Sequence, residues 1–270
     1  MTKDTMHEAL RIENLSISFG GLKALDALSF TVYEKEIFGL IGPNGAGKTT
    51  VFNCITQFYK PDMGAVYFRG RGSDGGEMIN LVGIPVHNII KYGLVRTFQN
   101  VEVIPELSLI DNVLIGAHAD FHSTMFEQAL RLPRARKEEK IHRARALEAM
   151  EFLGIEGMKD QLAGGQPYGI LKKIEMTRTL MCNPRLIILD EPAAGLNDDE
   201  TGALAEVLYK IRELYQCSIL LVEHDMRLVM DVCDRICAIN FGRFLAIGTP
   251  KEIQKNKQVQ EAYLGEQEDE

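Results

Sequence analysis

Eight consecutive residues have the types and spacing of a loop that binds phosphate. They match the pattern G-x-x-x-x-G-K-[ST] and run Gly42-Pro43-Asn44-Gly45-Ala46-Gly47-Lys48-Thr49. Glycines let the backbone approach a phosphate closely, because a Cβ would obstruct it and would disfavour left-handed dihedral angles. The lysine of such a loop can reach the β- and γ-phosphates of a nucleotide, and the final hydroxyl suits Mg²⁺. The motif therefore predicts a nucleotide-binding site.

The neighbouring sequence supplies the structural context that this loop needs. The apolar residues 37–41 precede it and predict a buried strand. Residues 50–56 follow, with Val51, Phe52 and Ile55 at helical spacing. The first N–H groups of a helix have no intrahelical partner, and the helix dipole favours an anion there. A chance glycine-rich turn is the alternative, and the strand and helix on either side argue against it.

Two further apolar runs end in residues that could act on a bound nucleotide. Residues 186–189 lead into Asp190 and Glu191, and residues 219–222 lead into His224 after one glutamate. Continuous apolar runs suit parallel strands that are buried on both faces. Ligands bind outside the carboxyl ends of such strands. We therefore expect these polar residues to meet the phosphate-binding loop.

Each of these side chains has a chemical role available at such a site. Asp190 could hold Mg²⁺ through water, beside Thr49. Glu191 could position or deprotonate an attacking water, and His224 could contact the γ-phosphate. The alternatives are a solvated carboxylate or helix cap for either acid, and an exposed polar residue for His224. Phe19 ends a predicted strand upstream, where its ring could stack on a base or belong to the core.

The composition predicts a large globular domain and argues against several classes of protein. The chain has 270 residues, of which 46% are hydrophobic, and a net charge of -8. An acidic chain argues against nucleic acid as a partner, because phosphate contacts need a basic face. No apolar run approaches the roughly 18 residues of a membrane span, and residues 1–11 lack the apolar region of a signal peptide.

The cysteines are odd in number and scattered along the chain. They are Cys54, Cys182, Cys217, Cys233 and Cys237. We predict that they are buried, reduced thiols. Cys233 and Cys237 are four residues apart, but no second pair of ligands accompanies them, which argues against zinc.

The hydrophobic pattern predicts an α/β chain with a helical insertion. Residues 10–19 and 28–33 should form two strands that pair antiparallel, and residues 64–68 should form another strand. From residue 100 to residue 180 the pattern is helical, and the α/β pattern then returns. We predict a single domain, 1–270, with a nucleotide-binding core formed by 1–99 and 181–270. Residues 100–180 would be the inserted helical subdomain.

Within the insertion, residues 138–153 form a helical pattern with one apolar stripe. Its members are Ile141, Ala144, Leu147, Met150 and Leu153. We predict that this stripe is the buried face of the helix. Several basic residues between 131 and 145 are interpreted as a solvated helix face, and a surface for a partner or for lipid is the less favoured alternative.

Together these stretches resemble the ATP-binding subunits of ABC transporters over nearly the whole chain. The matching motifs are the aromatic loop at Phe19, Walker A at 42–49, the Q-loop at Gln99, Walker B at 186–190 with Glu191 after it, the D-loop at 194–197 and the switch histidine His224. The resemblance implies an α/β fold with a P-loop NTPase (RecA-like) core of the ABC ATPase type. An antiparallel β subdomain and an inserted α-helical subdomain would accompany that core.

The resemblance also implies roles for single residues in ATP hydrolysis. Glu191, His224 and Gln99 would be catalytic, and Gln99 would join Thr49 and Asp190 around Mg²⁺. The nucleotide contacts would come from Phe19, the loop 42–49, Thr50, Asp190, Tyr168 and Gly169.

One motif departs from the family pattern. The signature usually reads L-S-G-G-Q, and the aligned stretch here is Gln166-Pro167-Tyr168-Gly169-Ile170. Pro167 replaces the serine whose hydroxyl would contact the γ-phosphate across a dimer. The N–H groups at the start of the next helix could still meet a phosphate. We therefore expect weaker contacts across a dimer, and less pairing of this subunit with itself.

A finer resemblance is to the ATP-binding subunits of branched-chain amino acid importers. It rests on residues 19–25, 96–100, 193–197, 223–226 and 261–265. It implies transmembrane permease subunits, a second ATP-binding subunit in a homodimer or heterodimer, and indirectly a substrate-binding protein. The chain would then lie at the cytoplasmic face of the membrane without a transmembrane segment. Urea, short amides or other amino acids are alternative cargoes, and a non-transport ABC ATPase or a weakly catalytic ATP-binding partner are alternative functions.

Overall fold

The computed structural model describes residues 7–71, 77–97, 102–121, 123–130 and 132–264. The chain divides into two compact units. The first unit comprises Met1–Arg96 and Arg185–Glu270, and the second comprises Thr97–Pro184. The second unit contains the segment 100–180 that we predicted as an insertion.

Ten strands are present among the described residues, all of them in the first unit. In chain order they are β1 (Glu8–Phe19), β2 (Leu22–Tyr33), β3 (Ile37–Ile41), β4 (Met63–Phe68), β5 (Ile79–Asn80), β6 (Leu94–Arg96), β7 (Leu186–Asp190), β8 (Ser218–Val222), β9 (Arg235–Asn240) and β10 (Arg243–Gly248).

Ten α-helices are present in the described part of the chain. They are α1 (Lys48–Ile55), α2 (Val86–Ile89), α3 (Leu109–Leu114), α4 (Met125–Ala129), α5 (Pro133–Phe152), α6 (Tyr168–Met181), α7 (Asp198–Tyr215), α8 (Met226–Val232), α9 (Pro250–Gln254) and α10 (Lys257–Leu264).

A six-stranded sheet positions the predicted chemistry. Its strand order is β10-β9-β3-β8-β7-β6, and every neighbouring pair is parallel except β10 with β9. All residues of β3, β7 and β8 are buried. The continuous apolar runs are therefore central parallel strands, as predicted, because only a strand covered on both faces is apolar throughout.

A second sheet is antiparallel and has the strand order β2-β1-β4-β5. The alternating pattern near the start of the chain predicted its first two strands correctly. Strand β2 begins at Leu22, six residues before the predicted start, because the Gly20-Gly21 turn leads directly into the ladder. Gly20 and Gly21 have φ values of 54° and 87°, which suit glycine in a tight turn.

The buried face of α5 agrees only in part with the predicted stripe, because Met150 and Leu153 are buried but two other members are not. Ile141 is 50% exposed and Ala144 is also exposed. The residues of α5 that are buried are Ala135, His142, Ala146, Ala149 and Met150. The physical reason is close packing of α5 against α3 and α6, because small alanines allow helices to approach each other. On the same buried face, the ring of His142 lies 4.4 Å from the ring of Phe121. The larger apolar side chain at position 141 is left outside.

The five cysteines are buried thiols outside any disulfide, as predicted. Burial raises the pKa of Cys54, Cys217 and Cys237 to about 12, and it also raises the pKa of Cys233. These side chains therefore remain thiols at neutral pH and pack as small apolar residues.

Candidate functional site

The predicted phosphate-binding loop leaves the carboxyl end of β3 and enters α1. Gly45 and Gly47 have φ values of 74° and 102°, in the left-handed region that favours glycine. At Gly42 a Cβ would lie 2.3 Å from the carbonyl oxygen of Ile239. Glycine is therefore required at 45 and 47 by the dihedral angles, and at 42 because a side chain would not fit.

The first turn of α1 is open to an anion. Its N-cap is Gly47, no described side chain caps it, and its first turn contains no acidic residue. The loop is fixed from outside, because the N–H of Gly242 donates to the carbonyl of Ala46 over 2.9 Å. The N–H of Asp26 in turn donates to the carbonyl of Gly242 over 2.9 Å. A rigid loop at a helix N-terminus is suited to phosphate.

Lys48 lies at the start of α1 and is buried, with 7% of its surface exposed. Its Nζ donates to the carbonyl oxygens of Gly42 and Pro43, over 2.5 and 3.0 Å. The ammonium group is therefore held inside the loop that it would serve. Thr49 is exposed and Thr50 is half-buried, while Asn44 lies on the exposed part of the loop.

Asp190 ends β7 and is buried, with a side-chain exposure of 7%. Its Oδ2 lies 2.7 Å from a guanidinium nitrogen of Arg96, at the end of the edge strand β6. A second nitrogen of Arg96 donates to Oδ1 of Asn53 in α1 over 2.7 Å. The guanidinium also lies over the ring of Phe52, 5.5 Å from its centroid. Arg96 therefore joins the carboxyl end of β7 to the helix that follows the phosphate-binding loop.

Arg96 is a site residue that was not predicted from the sequence. A signal was present, since an arginine follows the apolar pair Leu94-Val95 and a buried strand end needs an opposite charge. Strand β6 has only three residues, too short for a periodicity to be read.

Glu191 and His224 lie next to each other, at the ends of the adjacent strands β7 and β8. Oε1 of Glu191 is 3.1 Å from Nε2 of His224, and the two side chains are 26% and 48% exposed. Glu191 has a φ of 50°, unusual for a residue with a Cβ. Its N–H donates to the carbonyl of Val222 in β8 over 2.9 Å, which holds that conformation. An acid and a histidine in contact, both reachable by solvent, can act on the same water or phosphate oxygen.

Phe19 ends β1 and is 44% exposed, so it is not the core aromatic that was the alternative. Its ring meets the ring of Tyr59 edge to face, with centroids 5.1 Å apart. Two hydrogen bonds join Asp62, three residues after Tyr59, to strand β1. The N–H of Ser18 donates to Oδ2 of Asp62 over 2.8 Å, and the N–H of Asp62 donates to the carbonyl of Ser16 over 2.9 Å. Tyr59 is a further aromatic residue that the sequence analysis did not connect with Phe19.

The signature stretch belongs to the second unit. Pro167 is the N-cap of α6 and provides no side-chain hydrogen bond to the helix. Tyr168 is the first residue of the helix and is 46% exposed. The ammonium of Lys172 lies over its ring, 5.2 Å from the centroid. Gly169 follows in the first turn of α6. Gln99, the predicted Q-loop residue, lies outside the described residues.

The carboxyl ends of three neighbouring strands therefore gather most of the predicted site. Strand β3 leads into the phosphate-binding loop, β8 lies beside it, and β7 lies beside β8. Such a loop at the carboxyl end of a central parallel strand, in the same sheet as the strand that leads into Asp190 and Glu191, defines a P-loop nucleotide-binding ATPase.

Comparison with known proteins agrees with this class. The family described as ABC transporter matches residues 25–194. A second family, described as branched-chain amino acid ATP-binding cassette transporter, matches residues 245–269. The chain belongs to the ABC transporter family, and it is an ATP-binding subunit with ATPase activity.

Two curated relatives extend over almost the whole chain. The high-affinity branched-chain amino acid transport ATP-binding protein LivG of Salmonella typhimurium is 42% identical over 257 residues, which are 95% of this chain and 98% of LivG. The corresponding protein BraF of Pseudomonas aeruginosa is 40% identical over the same shares of the two chains.

Solved structures share the fold. A crystal structure of the ADP conformation of an ATP-binding cassette of an ABC transporter is 31% identical, with a TM-score of 0.80, and the match covers 96% of this chain and 99% of the other. A dimeric cassette in a post-hydrolysis state with ADP and Pi has a TM-score of 0.70 at 21% identity, and it shows the fold alone. The predicted fold class is therefore confirmed.

Proposed function

We propose that this chain hydrolyses ATP to energise an ABC importer of branched-chain amino acids. The observation that carries the proposal is the similarity to LivG and BraF over 95% of the chain. The match of residues 245–269 to the branched-chain amino acid family supports the same cargo, since it lies outside the ATPase motifs.

The nucleotide would bind first at the phosphate-binding loop. The open first turn of α1 and the internal Lys48 ammonium favour the triphosphate, because both present positive charge to it. Phe19 would stack on the base through its exposed ring. Thr50, the next residue of α1 after the loop, would also contact the nucleotide.

Mg²⁺ would be held by Thr49 and Asp190, with Gln99 as a further oxygen ligand. The described members of this set fit the ion, because a hydroxyl and a carboxylate are hard oxygen donors. Arg96 donates to Oδ2 of Asp190 over 2.7 Å and would hold this carboxylate in place for the ion or its water. When bound, Mg²⁺ supplies positive charge to the phosphates and so favours attack at the γ-phosphate.

Glu191 would position the attacking water and accept its proton. His224, whose Nε2 already lies 3.1 Å from Glu191, would orient that carboxylate and contact the γ-phosphate. Tyr168 and Gly169, at the start of α6, would contact the nucleotide of a facing subunit through the helix N-terminus.

ATP-binding cassettes of this family dimerise and work with transmembrane subunits. Within the described residues, no helix combines the length and apolarity that crossing a membrane requires. We propose that two permease subunits anchor this chain at the cytoplasmic face of the membrane, together with a second ATP-binding subunit. A substrate-binding protein would act on the other side, without touching this chain.

Co-purification and transport assays test the proposal. The tagged chain, expressed with the permeases of its own cell, should bring them down, and the reconstituted complex should show ATPase activity that rises with leucine, isoleucine or valine and the binding protein. Stimulation by urea or short amides instead would change the cargo and keep the transport function. A chain that hydrolyses ATP but never associates with a membrane protein would favour the non-transport alternative.

A further inference from the structure

Glu223 is a buried carboxylate that accepts hydrogen bonds from three backbone N–H groups. Its exposure is 4%. Oε1 accepts from the N–H of Ala193 over 2.6 Å. Oε2 accepts from the N–H of His224 over 2.8 Å and from that of Asp225 over 3.2 Å. A buried carboxylate is costly unless such donors compensate it, so the three bonds have a structural purpose.

The three donors lie in two separate loops of the site. Ala193 belongs to the turn after β7, two residues beyond Glu191. Within that turn, the N–H of Ala194 donates to the carbonyl of Glu191 over 3.1 Å. His224 and Asp225 belong to the turn after β8. The side chain of Glu223 therefore ties the turn that carries Glu191 to the turn that carries His224.

Hydrogen bonds of the backbone hold His224 in place, because its side chain is not buried. Its side chain is 48% exposed. Its own N–H is bound by Glu223, and the next residue, Asp225, is the N-cap of α8 and accepts from the N–H of Arg227 over 2.8 Å. The backbone of His224 is thus held by the residue before it and the residue after it, and its ring contacts Glu191.

We propose that Glu223 is a positioning residue for ATP hydrolysis, which sets the 3.1 Å contact between Glu191 and His224 without touching the nucleotide. This inference rests on the proposed roles of Glu191 and His224. Loss of Glu223 should therefore lower the turnover rate and leave the affinity for nucleotide unchanged, because the phosphate-binding loop is built on β3 and α1.

The first test is Glu223→Gln, which keeps the size of the side chain. An amide nitrogen cannot accept, so whichever way the glutamine turns, at least one N–H loses its acceptor and faces a donor. We expect kcat to fall on the order of 10–100-fold, because small misplacements of catalytic groups have effects of that size. The dissociation constant of Mg²⁺-free ATP, measured by calorimetry, should not change.

Glu36→Gln is the matched control. Glu36 is also buried in the first unit, with 6% exposure, and accepts from the N–H of Tyr33 over 2.7 Å and from Arg235 over 3.1 Å. It precedes β3 and so lies at the amino end of the sheet, away from the site. Both variants should lose thermal stability, and only Glu223→Gln should lose kcat. An equal loss of kcat in both variants, or in neither, would overturn the proposal.

Two measurements do not depend on turnover. In the unmodified chain, the amide hydrogens of Ala193 and His224 should exchange slowly with solvent, and fast exchange would show that the bonds to Glu223 are absent. In NMR spectra, Glu191→Gln should shift the ring signals of His224 in the parent and much less in the Glu223→Gln background. An equal shift in both backgrounds would overturn the positioning role. If the parent chain lacks ATPase activity altogether, the proposed function fails, and these two measurements still decide the inference.

Discussion

The phosphate-binding loop and the ends of β7 and β8 belong to the same site but are built in different ways. The loop is one continuous segment, and its key features are dihedral angles, a helix start and a lysine bound to carbonyls of the same loop. The strand ends bring together Asp190 and Glu191 with His224, from segments more than thirty residues apart. Arg96 contacts Asp190, Glu191 contacts His224, and the N–H of His224 donates to the preceding Glu223.

The difference separates binding from hydrolysis. Binding of a phosphate needs backbone N–H groups, which a short glycine-rich sequence provides by itself. Hydrolysis needs side chains at defined distances, and these distances depend on the pairing of β7 with β8 and on Arg96 and Glu223. Substitutions at the strand ends should therefore affect turnover and folding, and substitutions in the loop should affect affinity.

The largest effect is expected for Glu191→Gln. It removes the carboxylate that would accept a proton from water, while Lys48, Thr49 and Asp190 remain to hold the nucleotide. Loss of a general base lowers turnover on the order of 10²–10⁴-fold. Steady-state ATPase activity and ATP affinity are measured side by side. Turnover that stays near the parent value would show that another group activates the water.

The next effect concerns folding, through Arg96→Met. Breaking a buried ion pair by removing one partner costs about 3–5 kcal/mol, because the other charge stays buried without compensation. Asp190 would be that charge. Denaturant unfolding should show the loss, and Asn53→Ala, which removes only the second contact of Arg96, should lose less. If Arg96→Met were as stable as the parent, the ion pair with Arg96 would not be needed to stabilise the buried carboxylate of Asp190.

Lys48→Ala should reduce nucleotide affinity. A hydrogen bond to a charged group contributes about 1.5–3 kcal/mol, so the dissociation constant should rise roughly 10-fold to 100-fold. Equilibrium titration with a fluorescent ATP analogue measures it, with the exposed Lys210→Ala as the control for loss of a positive charge. Unchanged affinity in Lys48→Ala would show that the backbone N–H groups of the loop suffice.

A fourth prediction concerns Pro167, which has neither a hydroxyl nor an N–H. Pro167→Ser should strengthen ATP-dependent dimerisation in the Glu191→Gln background, since one charge-assisted hydrogen bond contributes about 1.5–3 kcal/mol. Sedimentation velocity with and without Mg-ATP is the measurement. Pro167→Ala is the control, because it restores the N–H without the hydroxyl. A tight ATP dimer in the chain that keeps Pro167 would show that backbone groups near Gly169 already provide the contact.

The smallest effect is expected at the aromatic pair. Tyr59→Leu removes the ring that supports Phe19, and an aromatic pair contributes about 0.5–1.5 kcal/mol. ATP affinity should fall by about 2-fold to 10-fold, in line with that energy. Affinity for tripolyphosphate, which has no base, should not change, and Tyr59→Phe should behave like the parent. An equal fall for both ligands would show that Tyr59 supports the fold and not the base.

Much of the core could be predicted because its signals are local. The runs that became β3, β7 and β8 are apolar throughout, and Gly45 and Gly47 have the left-handed dihedral angles that the loop motif predicts. Gly42 is different, because the space beside it is limited by the carbonyl of Ile239 in β9. The predicted stripe of α5 was right at Met150 and Leu153 and wrong at Ile141 and Ala144, because α3 and α6 pack against the side of the helix that carries His142, Ala146 and Ala149. The sequence analysis missed Arg96 because it closes a contact across 94 residues of sequence.

The sequence by itself determined the phosphate-binding loop, the buried strands β3, β7 and β8 and the acidic residues that follow two of them. These follow from hydrophobic periodicity and from the dihedral freedom of glycine, which act over a few neighbouring residues. Only the tertiary structure decided that β7 lies beside β8, so that Glu191 meets His224, and that Arg96 and Glu223 hold the strand ends. The physical reason is that a buried charge is stabilised by whichever partner the fold brings within hydrogen-bonding distance, and no local pattern specifies that partner.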